Sequence, residues 1–321
     1  MRRNLLLLSV LLPLQGTALA VEPATDAAPG DLHGWCRSVT RAIPQIKPKT
    51  CLAAELKPVA RSVNGRHIMV SEFKPARTAS PRVLVVGGIH GDELTSVSIV
   101  FRWIELLQQP AGQVAQYEWR VIPVLNPDGL LAKRPTRVNA RGVDLNRNFP
   151  TEDWSSEAPR YWQVSTRKDP RRFPGTQPVS EPESRWLHNE IKAFKPDVII
   201  SVHAPHDVLD FDGPPDVKPP ARFGPLRLNR LGVYPGSLGN YGGLKEGIPV
   251  VTLELPHALE MPTEEDLAHV WRDMQDWLKV NLVDAKPAPP GRTTEPSVPL
   301  LQWSFPGRNV ESSVPLFGSS R

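Results

Sequence analysis

The sequence predicts an α/β fold, with a mixed, mostly parallel central sheet and helices on both faces. Short apolar runs rich in β-branched residues alternate along the chain with segments whose apolar residues recur every three or four positions. The apolar runs are continuous, which is typical of strands buried on both faces. We therefore expect a three-layer α/β/α domain, and no internal repeat suggests a solenoid instead.

Two strands and one helix follow from these patterns in the first half of the domain. A strand at 82–86 leads through a glycine-containing loop into a helix over 94–107, whose apolar residues lie on one face. A second strand is predicted at 119–125. It is followed at 126–129 by Asn-Pro-Asp-Gly, which is strong turn chemistry.

The second half of the predicted domain again alternates helices and strands. A helix at 183–194 precedes a strand at 198–202 that ends at His203. Another strand at 250–255 contains Glu254. A late amphipathic helix is predicted at 263–282, because a threonine and three acidic residues form a favourable helix start.

The composition of the chain limits the classes of protein to which it can belong. The chain has 321 residues, of which 22% are charged and 40% hydrophobic, as in a globular enzyme. Of 38 basic side chains, Arg2 and Arg3 lie in a predicted leader, which leaves 36 against 34 acidic ones. This balance gives no reason to expect nucleic-acid binding.

The two ends of the chain differ from its middle in composition. Residues 1–20 combine two arginines, an apolar run and a small-residue cleavage signal, which indicates a signal peptide rather than a membrane anchor. We expect a flexible lead-in at 21–34, a catalytic domain at 35–285 and a Pro/Ser-rich tail at 286–321 that is disordered or lies on the surface. The mature protein is expected to be soluble, periplasmic or secreted, and monomeric.

The two cysteines of the chain lie close together in sequence. Cys36 and Cys51 flank a loop near the mature N-terminus, and an oxidising compartment favours a disulfide between them. A reduced, buried pair is the alternative.

Residues with metal-binding or acid-base capacity follow the predicted strands. His90, His203 and Glu254 lie at or just after the carboxyl ends of three strands, the edge where α/β sheets bind ligands. Glu93 comes three residues after His90. Two histidines and one glutamate satisfy the three protein ligands of a catalytic zinc site. His206 could replace His203 as a ligand.

Five motifs together carry more information than any one of them. They are GGIHGDE at 87–93, NPDG at 126–129, GVDLNRNFP at 142–150, SVH at 201–203 and TLELP at 252–256. In this order they closely resemble the zinc carboxypeptidases of the M14 family, from about Ser62 to Leu282. The resemblance is nearest to the bacterial branch that includes murein peptide amidases and peptidoglycan DL-carboxypeptidases.

The resemblance implies one zinc ion held by His90, Glu93 and His203, with Glu254 as the catalytic base. Asn146 and Arg147 match the pair that holds the free carboxylate of the substrate.

The oxyanion-supporting arginine is matched by Arg134, and Arg137 is the alternative. Asp144 is interpreted as structural support for its loop.

The region before the catalytic glutamate is shorter than in digestive-type members. Tyr234 and Tyr241 are both present, and neither lies at the spacing of the mobile tyrosine of those enzymes, although Tyr241 is retained as a substrate-binding candidate. Leu238 could line the pocket for the departing side chain.

These residues favour hydrolysis of an amide bond near a free carboxylate. The leading hypothesis is a peptide or muropeptide substrate, cleaved between γ-D-glutamate and diaminopimelate in peptidoglycan stem peptides. Three alternatives are a general periplasmic peptide carboxypeptidase, an N-acyl amino acid deacylase that resembles succinylglutamate desuccinylase or aspartoacylase, and a non-enzymatic cell-wall-binding domain.

Overall fold

A mixed sheet runs through the middle of the molecule. The computed structural model describes residues 31–75, 80–109 and 116–283. The predicted signal peptide and the tail at 286–321 lie outside these ranges. The first helix begins at Leu32, within the segment assigned to the lead-in. No helix among the described residues is long and apolar enough to cross a membrane.

The sheet has nine strands in the described residues. They are β1 Lys57–Arg61, β2 His67–Phe73, β3 Arg82–Val86, β4 Glu118–Ile122, β5 Val198–His203, β6 Val208–Asp212, β7 Arg222–Phe223, β8 Leu226–Leu228 and β9 Val250–Glu254. Their order in the sheet is β1-β2-β4-β3-β5-β9-β6-β8-β7. Parallel pairing joins β4, β3, β5 and β9 in the centre and β6 to β8 near one edge, and the remaining pairs are antiparallel.

Helices cover both faces of the sheet, as predicted. They are α1 Leu32–Ala42, α2 Pro48–Ala53, α3 Leu94–Leu107, α4 Pro127–Leu130, α5 Trp154–Arg160, α6 Pro182–Phe194 and α7 Glu264–Leu278. Two buried clusters separate the layers. One contains apolar residues of α1, α2, α3 and α7, and the other contains those of α6. Successive residues of β3 alternate between the clusters, because side chains alternate across a strand.

The parallel centre of the sheet positions the site. Strands β3, β5 and β9 run in the same direction, so their carboxyl ends meet at one edge. His203 and Glu254 are direct neighbours in the β5–β9 register. Both are the last residues of their strands, which brings them to the same edge.

Two local predictions differ from the structure. The strand predicted at 119–125 ends at Ile122, because Pro123 has no N–H to continue the ladder. The Asn-Pro-Asp-Gly turn is instead the start of α4, where the side chain of Asn126 accepts a hydrogen bond from the backbone N–H of Gly129 at 2.8 Å. Proline after the cap suits the first helical position.

The structure joins Cys36 of α1 to Cys51 of α2 in a disulfide, and both residues are buried. Their sequence separation of 15 closes a short loop. A cross-link that closes a loop of this length lowers the conformational entropy of the unfolded chain. It is expected to stabilise the fold by about 3 kcal/mol.

We therefore expect the double variant Cys36→Ala/Cys51→Ala to unfold at lower denaturant concentration, with a loss of about 3 kcal/mol in the free energy of unfolding. Urea denaturation followed by circular dichroism measures this loss. Wild-type protein in excess reductant is the matched control, and its denaturation midpoint should approach that of the variant. Identical midpoints for oxidised wild type and variant would contradict the expectation.

Candidate metal centre and its cleft

Three buried side chains meet at the carboxyl edge of the sheet. His90 lies in the loop after β3, Glu93 precedes the first residue of α3, and His203 ends β5. Their donor atoms all lie within 4.8 Å of one another. The Nδ1 atom of His90 is 2.7 Å from Oε1 of Glu93, and Nδ1 of His203 is 3.0 Å from Oε2 of the same carboxylate.

Asp144 orients the first of these histidines. Its Oδ1 atom is 3.1 Å from Nε2 of His90, and its Oδ2 atom accepts a hydrogen bond from Nε of Arg137 at 2.9 Å. Burial alone would raise the pKa of Asp144, but the charges of Arg137 and His90 hold it well below its usual range. The ionised carboxylate favours the proton of His90 on Nε2 and leaves the Nδ1 lone pair directed at Glu93.

The three side chains fit a zinc ion. The two Nδ1 atoms are 3.1 Å apart, close to the separation of about 3.3 Å between tetrahedral ligands at zinc–nitrogen distances near 2.0 Å. With both Nδ1 atoms unprotonated, their lone pairs and the carboxylate of Glu93 can bind one cation between them. Burial would raise the pKa of Glu93, but His90 and His203 lower it strongly, so the carboxylate is ionised and available as a ligand.

Glu254 ends β9 beside this cluster. It is 9% exposed, lines the same cleft as His90, Glu93 and His203, and its Oε2 atom has no hydrogen-bond partner among the described residues. Burial raises the pKa of Glu254; His203 opposes this shift and Glu93 adds to it. An unpartnered carboxylate oxygen with a raised pKa next to a metal cluster is suited to accept and return a proton.

Asn146 and Arg147 form a polar wall of the cleft. They belong to a short 3-10 helix at Leu145–Arg147, capped by Asp144. Arg147 is 5% exposed, and its Nε atom has no partner among the described residues. Its guanidinium carbon lies 4.6 Å from the ring centroid of Tyr234. This buried, partly unpaired guanidinium can receive a carboxylate.

The structure places Arg137, not Arg134, at the metal cluster. Arg137 lines the cleft, and its Nη1 atom is 3.4 Å from Oε1 of Glu93. Arg134 is exposed and does not line the cleft. The sequence preference for Arg134 is therefore wrong on position, because a spacing argument cannot show which arginine of the loop turns inward.

Two further candidates lie in the core instead of the cleft. Leu238 and Tyr241 are almost completely buried in the α6-side cluster, and Tyr241 stacks on Phe149 with ring centroids 5.8 Å apart. Only the backbone N–H of Leu238 supports the site, by donating to Oδ1 of Asn146 at 2.8 Å. Tyr234 is the tyrosine that lines the cleft.

His206, the alternative ligand, is exposed at the cleft and is not part of the metal cluster. Other cleft residues were missed by the sequence analysis, and Arg172 is one of them. Asp210 and Asp212 of β6 also line the cleft, and alternate positions of a strand share one face. The available signal was Asp-Phe-Asp at 210–212, two carboxylates with strand spacing.

The fold and this cluster, which could hold a metal ion, are together those of a metal-dependent hydrolase. The chain belongs to the zinc carboxypeptidase family, peptidase M14, whose model matches residues 38–216. The matched range includes His90, Glu93 and His203 and ends before Glu254.

Two similar proteins carry the name murein peptide amidase A. Murein peptide amidase A of Escherichia coli K12 is 34% identical over 134 residues, which cover 41% of this chain and 52% of that protein. Murein peptide amidase A of Vibrio campbellii is 31% identical over 193 residues, 57% of this chain and 73% of that protein. The match to the Escherichia coli protein thus spans about half of its length.

Solved structures share the fold. The murein-tripeptide amidase of Escherichia coli O157 superposes with a TM-score of 0.50 at 24% identity, over 69% of this chain and 91% of that one. Carboxypeptidase A of Helicoverpa armigera gives a TM-score of 0.57 at 17% identity, over 77% of this chain and 71% of that one.

Proposed function

We propose that this chain is a zinc-dependent metallocarboxypeptidase or amidase that hydrolyses an amide bond next to a free carboxylate. The observation that carries the proposal is the convergence of His90, Glu93, His203 and Glu254 at one cleft, with Asn146 and Arg147 in its wall. Family membership supports the same chemistry.

Each residue has a separate role in this reaction. Zinc, when bound, lowers the pKa of a water molecule toward about 7 and polarises the scissile carbonyl. Glu254 accepts the proton of the attacking water and passes it to the departing amine. Arg137 stabilises the negative charge that develops on the carbonyl oxygen.

Asn146 and Arg147 position the substrate. The planar guanidinium of Arg147 pairs with the free carboxylate, and the ring of Tyr234 holds that guanidinium in place. Oδ1 of Asn146 is already used by the backbone of Leu238, so its amide nitrogen remains to donate to the same carboxylate. The amide bond to be cleaved therefore lies one residue before the free carboxylate of the substrate.

The substrate class is a peptidoglycan stem peptide, cleaved between γ-D-glutamate and diaminopimelate. Two observations support this choice: the relatives named murein peptide amidase, and the predicted export signal together with a disulfide. We propose that the protein acts in the periplasm or outside the cell.

Digestion of purified muropeptides tests this substrate. Tripeptide is incubated with zinc-loaded protein, with and without a chelator, and the products are followed by mass spectrometry. We expect release of diaminopimelate only in the absence of the chelator. Unchanged tripeptide in both samples would reject the substrate.

A general peptide carboxypeptidase is the second candidate. The position of Tyr234 in the cleft, against Arg147, favours it, because an aromatic ring there can contact the last residue of an ordinary peptide. Synthetic peptides of ordinary L-residues should then lose their last residue. Complete inertness of such peptides would argue against this candidate.

The assignment of Arg137 leads to a separate prediction. We expect Arg137→Ala to lower kcat by about 10²–10³-fold, the usual cost of one oxyanion donor. Exposed Arg134→Ala is the matched control and should leave kcat unchanged. Zinc content is measured in both variants, because Arg137 also contacts Glu93 and Asp144. Equal losses in both variants, or a loss only in Arg134→Ala, would contradict the assignment.

A further inference from the structure

One loop carries three of the residues that line or support the cleft. The segment 139–148 contains Asp144, Asn146 and Arg147, and Arg137 lies two residues before it. Apart from its one short 3-10 helix, this segment has no helix or strand of its own. Its course, and with it the direction of these side chains, therefore depends on how its two ends are held.

Asn139 holds the first end of this loop. It is 4% exposed, and its Oδ1 atom accepts hydrogen bonds from the backbone N–H groups of Arg141 at 3.0 Å and Val143 at 3.1 Å. Its Nδ2 atom donates to Oε2 of Glu181 at 2.8 Å and to Oε2 of Glu183 at 3.2 Å. Two accepted and two donated bonds use the whole capacity of an amide side chain. The side chain thus joins its own turn to two carboxylates.

Asn148 holds the other end of the loop. It is completely buried, its Oδ1 atom accepts a hydrogen bond from Oγ of Ser184 at 2.6 Å, and its Nδ2 atom donates to the carbonyl oxygen of Pro174 at 2.7 Å. The end of the loop next to Arg147 is therefore fixed by contacts that do not involve Asn139.

Both ends are tied to the start of α6. Glu181 is the residue before this helix, and Glu183 and Ser184 lie in its first turn. Oε1 of Glu183 also accepts a hydrogen bond from the backbone N–H of Val63 at 3.1 Å, which ties it to the turn between β1 and β2. The helix packs in the core through Leu187 and other apolar residues. The anchoring groups thus belong to the packed scaffold, and they do not line the cleft.

The two anchoring carboxylates are unfavourable where they lie. Glu181 is 3% exposed and pairs at 3.6 Å with the exposed Arg141, whereas Glu183 is completely buried and has no ion pair among the described residues. Burial raises the pKa of Glu183. Carboxylates out of water are costly unless they are hydrogen-bonded, and an apolar contact would hold α6 in place at lower cost. Two acceptors at this place are explained if the amide of Asn139 has to be held in one orientation.

Arg137 is the site residue nearest to this anchor along the chain. Its Nε atom donates to Oδ2 of Asp144 at 2.9 Å, and its Nη1 atom is 3.4 Å from Oε1 of Glu93. A shift of Asn139 moves the backbone that carries Arg137. His90, Glu93 and His203 lie outside this loop and do not depend on it for their position.

We propose that Asn139, held by Glu181 and Glu183, is a positioning residue for Arg137. It belongs neither to the candidate metal cluster nor to the cleft wall, so it acts through the loop and not on the substrate. This inference rests on the proposed function, in which Arg137 stabilises the charge that develops on the carbonyl oxygen.

Asn139→Ala tests this role. We expect kcat to fall about 10–100-fold, because a displacement of about 1 Å near the reacting atoms can cost about 10²-fold in rate. KM should change little, because Arg147 stays fixed from the other end of the loop. Zinc content should stay at the wild-type value. An unchanged kcat, or a loss that follows a loss of zinc, would overturn the inference.

A double variant separates positioning from a general structural role. If Asn139 acts through Arg137, then Asn139→Ala/Arg137→Ala should have the same kcat as Arg137→Ala alone, because the effects of coupled residues are not additive. Multiplication of the two losses would mean that Asn139 acts elsewhere and would overturn the inference.

Two glutamates of the same helix provide a matched comparison. Glu183→Ala should lower kcat less than Asn139→Ala does, because Glu181 still accepts one hydrogen bond. Glu190→Ala removes a partly buried carboxylate that pairs with Arg120 outside the cleft. This control should lower the melting temperature and leave kcat unchanged. Equal kcat values in the two glutamate variants would overturn the inference.

Hydrogen–deuterium exchange decides the inference without catalysis. Peptides that cover 137–144 should exchange faster in Asn139→Ala and Glu183→Ala than in the wild type, while those around Asn148 keep wild-type protection. Unchanged exchange at 137–144, or a uniform increase over the whole chain in both variants, would overturn it. If the wild type cleaves no peptide, the proposed function fails by itself, and the exchange result still decides whether Asn139 fixes this loop.

Discussion

Glu254→Gln lowers kcat by about 10²–10⁴-fold, the range expected for loss of a general base. Glutamine has nearly the same shape as glutamate but cannot accept the proton of the attacking water. The side chain lies at the end of β9 and has an unpartnered Oε2 atom, so no described hydrogen bond is lost with its charge. Steady-state kinetics on a cleaved substrate measures the effect, and zinc content and melting temperature should stay at wild-type values.

The control for this experiment is an exposed glutamate outside the cleft. Glu260→Gln removes one negative charge close by in sequence and should leave kcat unchanged. The comparison also separates an enzyme from a cell-wall-binding domain, because a pure binder would lose nothing in Glu254→Gln. Full activity in Glu254→Gln would contradict the role of this residue.

His203→Ala is expected to have the second large effect, loss of the metal. Removal of an outer partner of a zinc ligand typically weakens metal binding about 10–100-fold, and loss of a ligand itself should cost more. Zinc content after dialysis, measured by elemental analysis, should fall from one ion per chain to nearly none, and hydrolysis should fall with it. The buried position of His203 against Glu93 and His90 is the reason.

His206 provides the matched control. It lies three residues after the end of β5, lines the cleft and is exposed. His206→Ala should therefore retain one zinc ion per chain. Loss of zinc in His206→Ala together with its retention in His203→Ala would mean that the ligand set is misassigned.

The strands that position the site could be predicted from sequence because they are continuously apolar. Strand β5 is buried at every position and β3 at four of five, and both were recognised with their carboxyl ends. Strands β1 and β8 are short or largely exposed. Their pairing depends on partners distant in sequence, and their own composition does not distinguish them from loops.

The candidate metal ligands could be predicted because each lies at the end of an identifiable element. His90 follows a strand, Glu93 immediately precedes a helix, and His203 ends a strand. Loop residues could not be assigned in this way. Arg137 and Tyr234 reach the cleft only through the three-dimensional course of their loops.

The contact of Asp144 with His90 and the position of Asp212 could not be predicted, for a related reason. The role of Asp144 depends on Nε2 of His90, 54 residues earlier in the chain. Asp212 reaches the cleft through the antiparallel pairing of β6 with β9, which the apolar pattern did not indicate. Local sequence shows which groups can ionise, and the fold decides which other groups they face.

Anomalous diffraction at the zinc absorption edge from crystals of the purified protein tests the central claim most directly. We expect a single strong peak between Nδ1 of His90, Nδ1 of His203 and the carboxylate of Glu93, with Glu254 beside it and not bound to it. A strong peak elsewhere, or none at this cluster in protein prepared with zinc, would contradict the account.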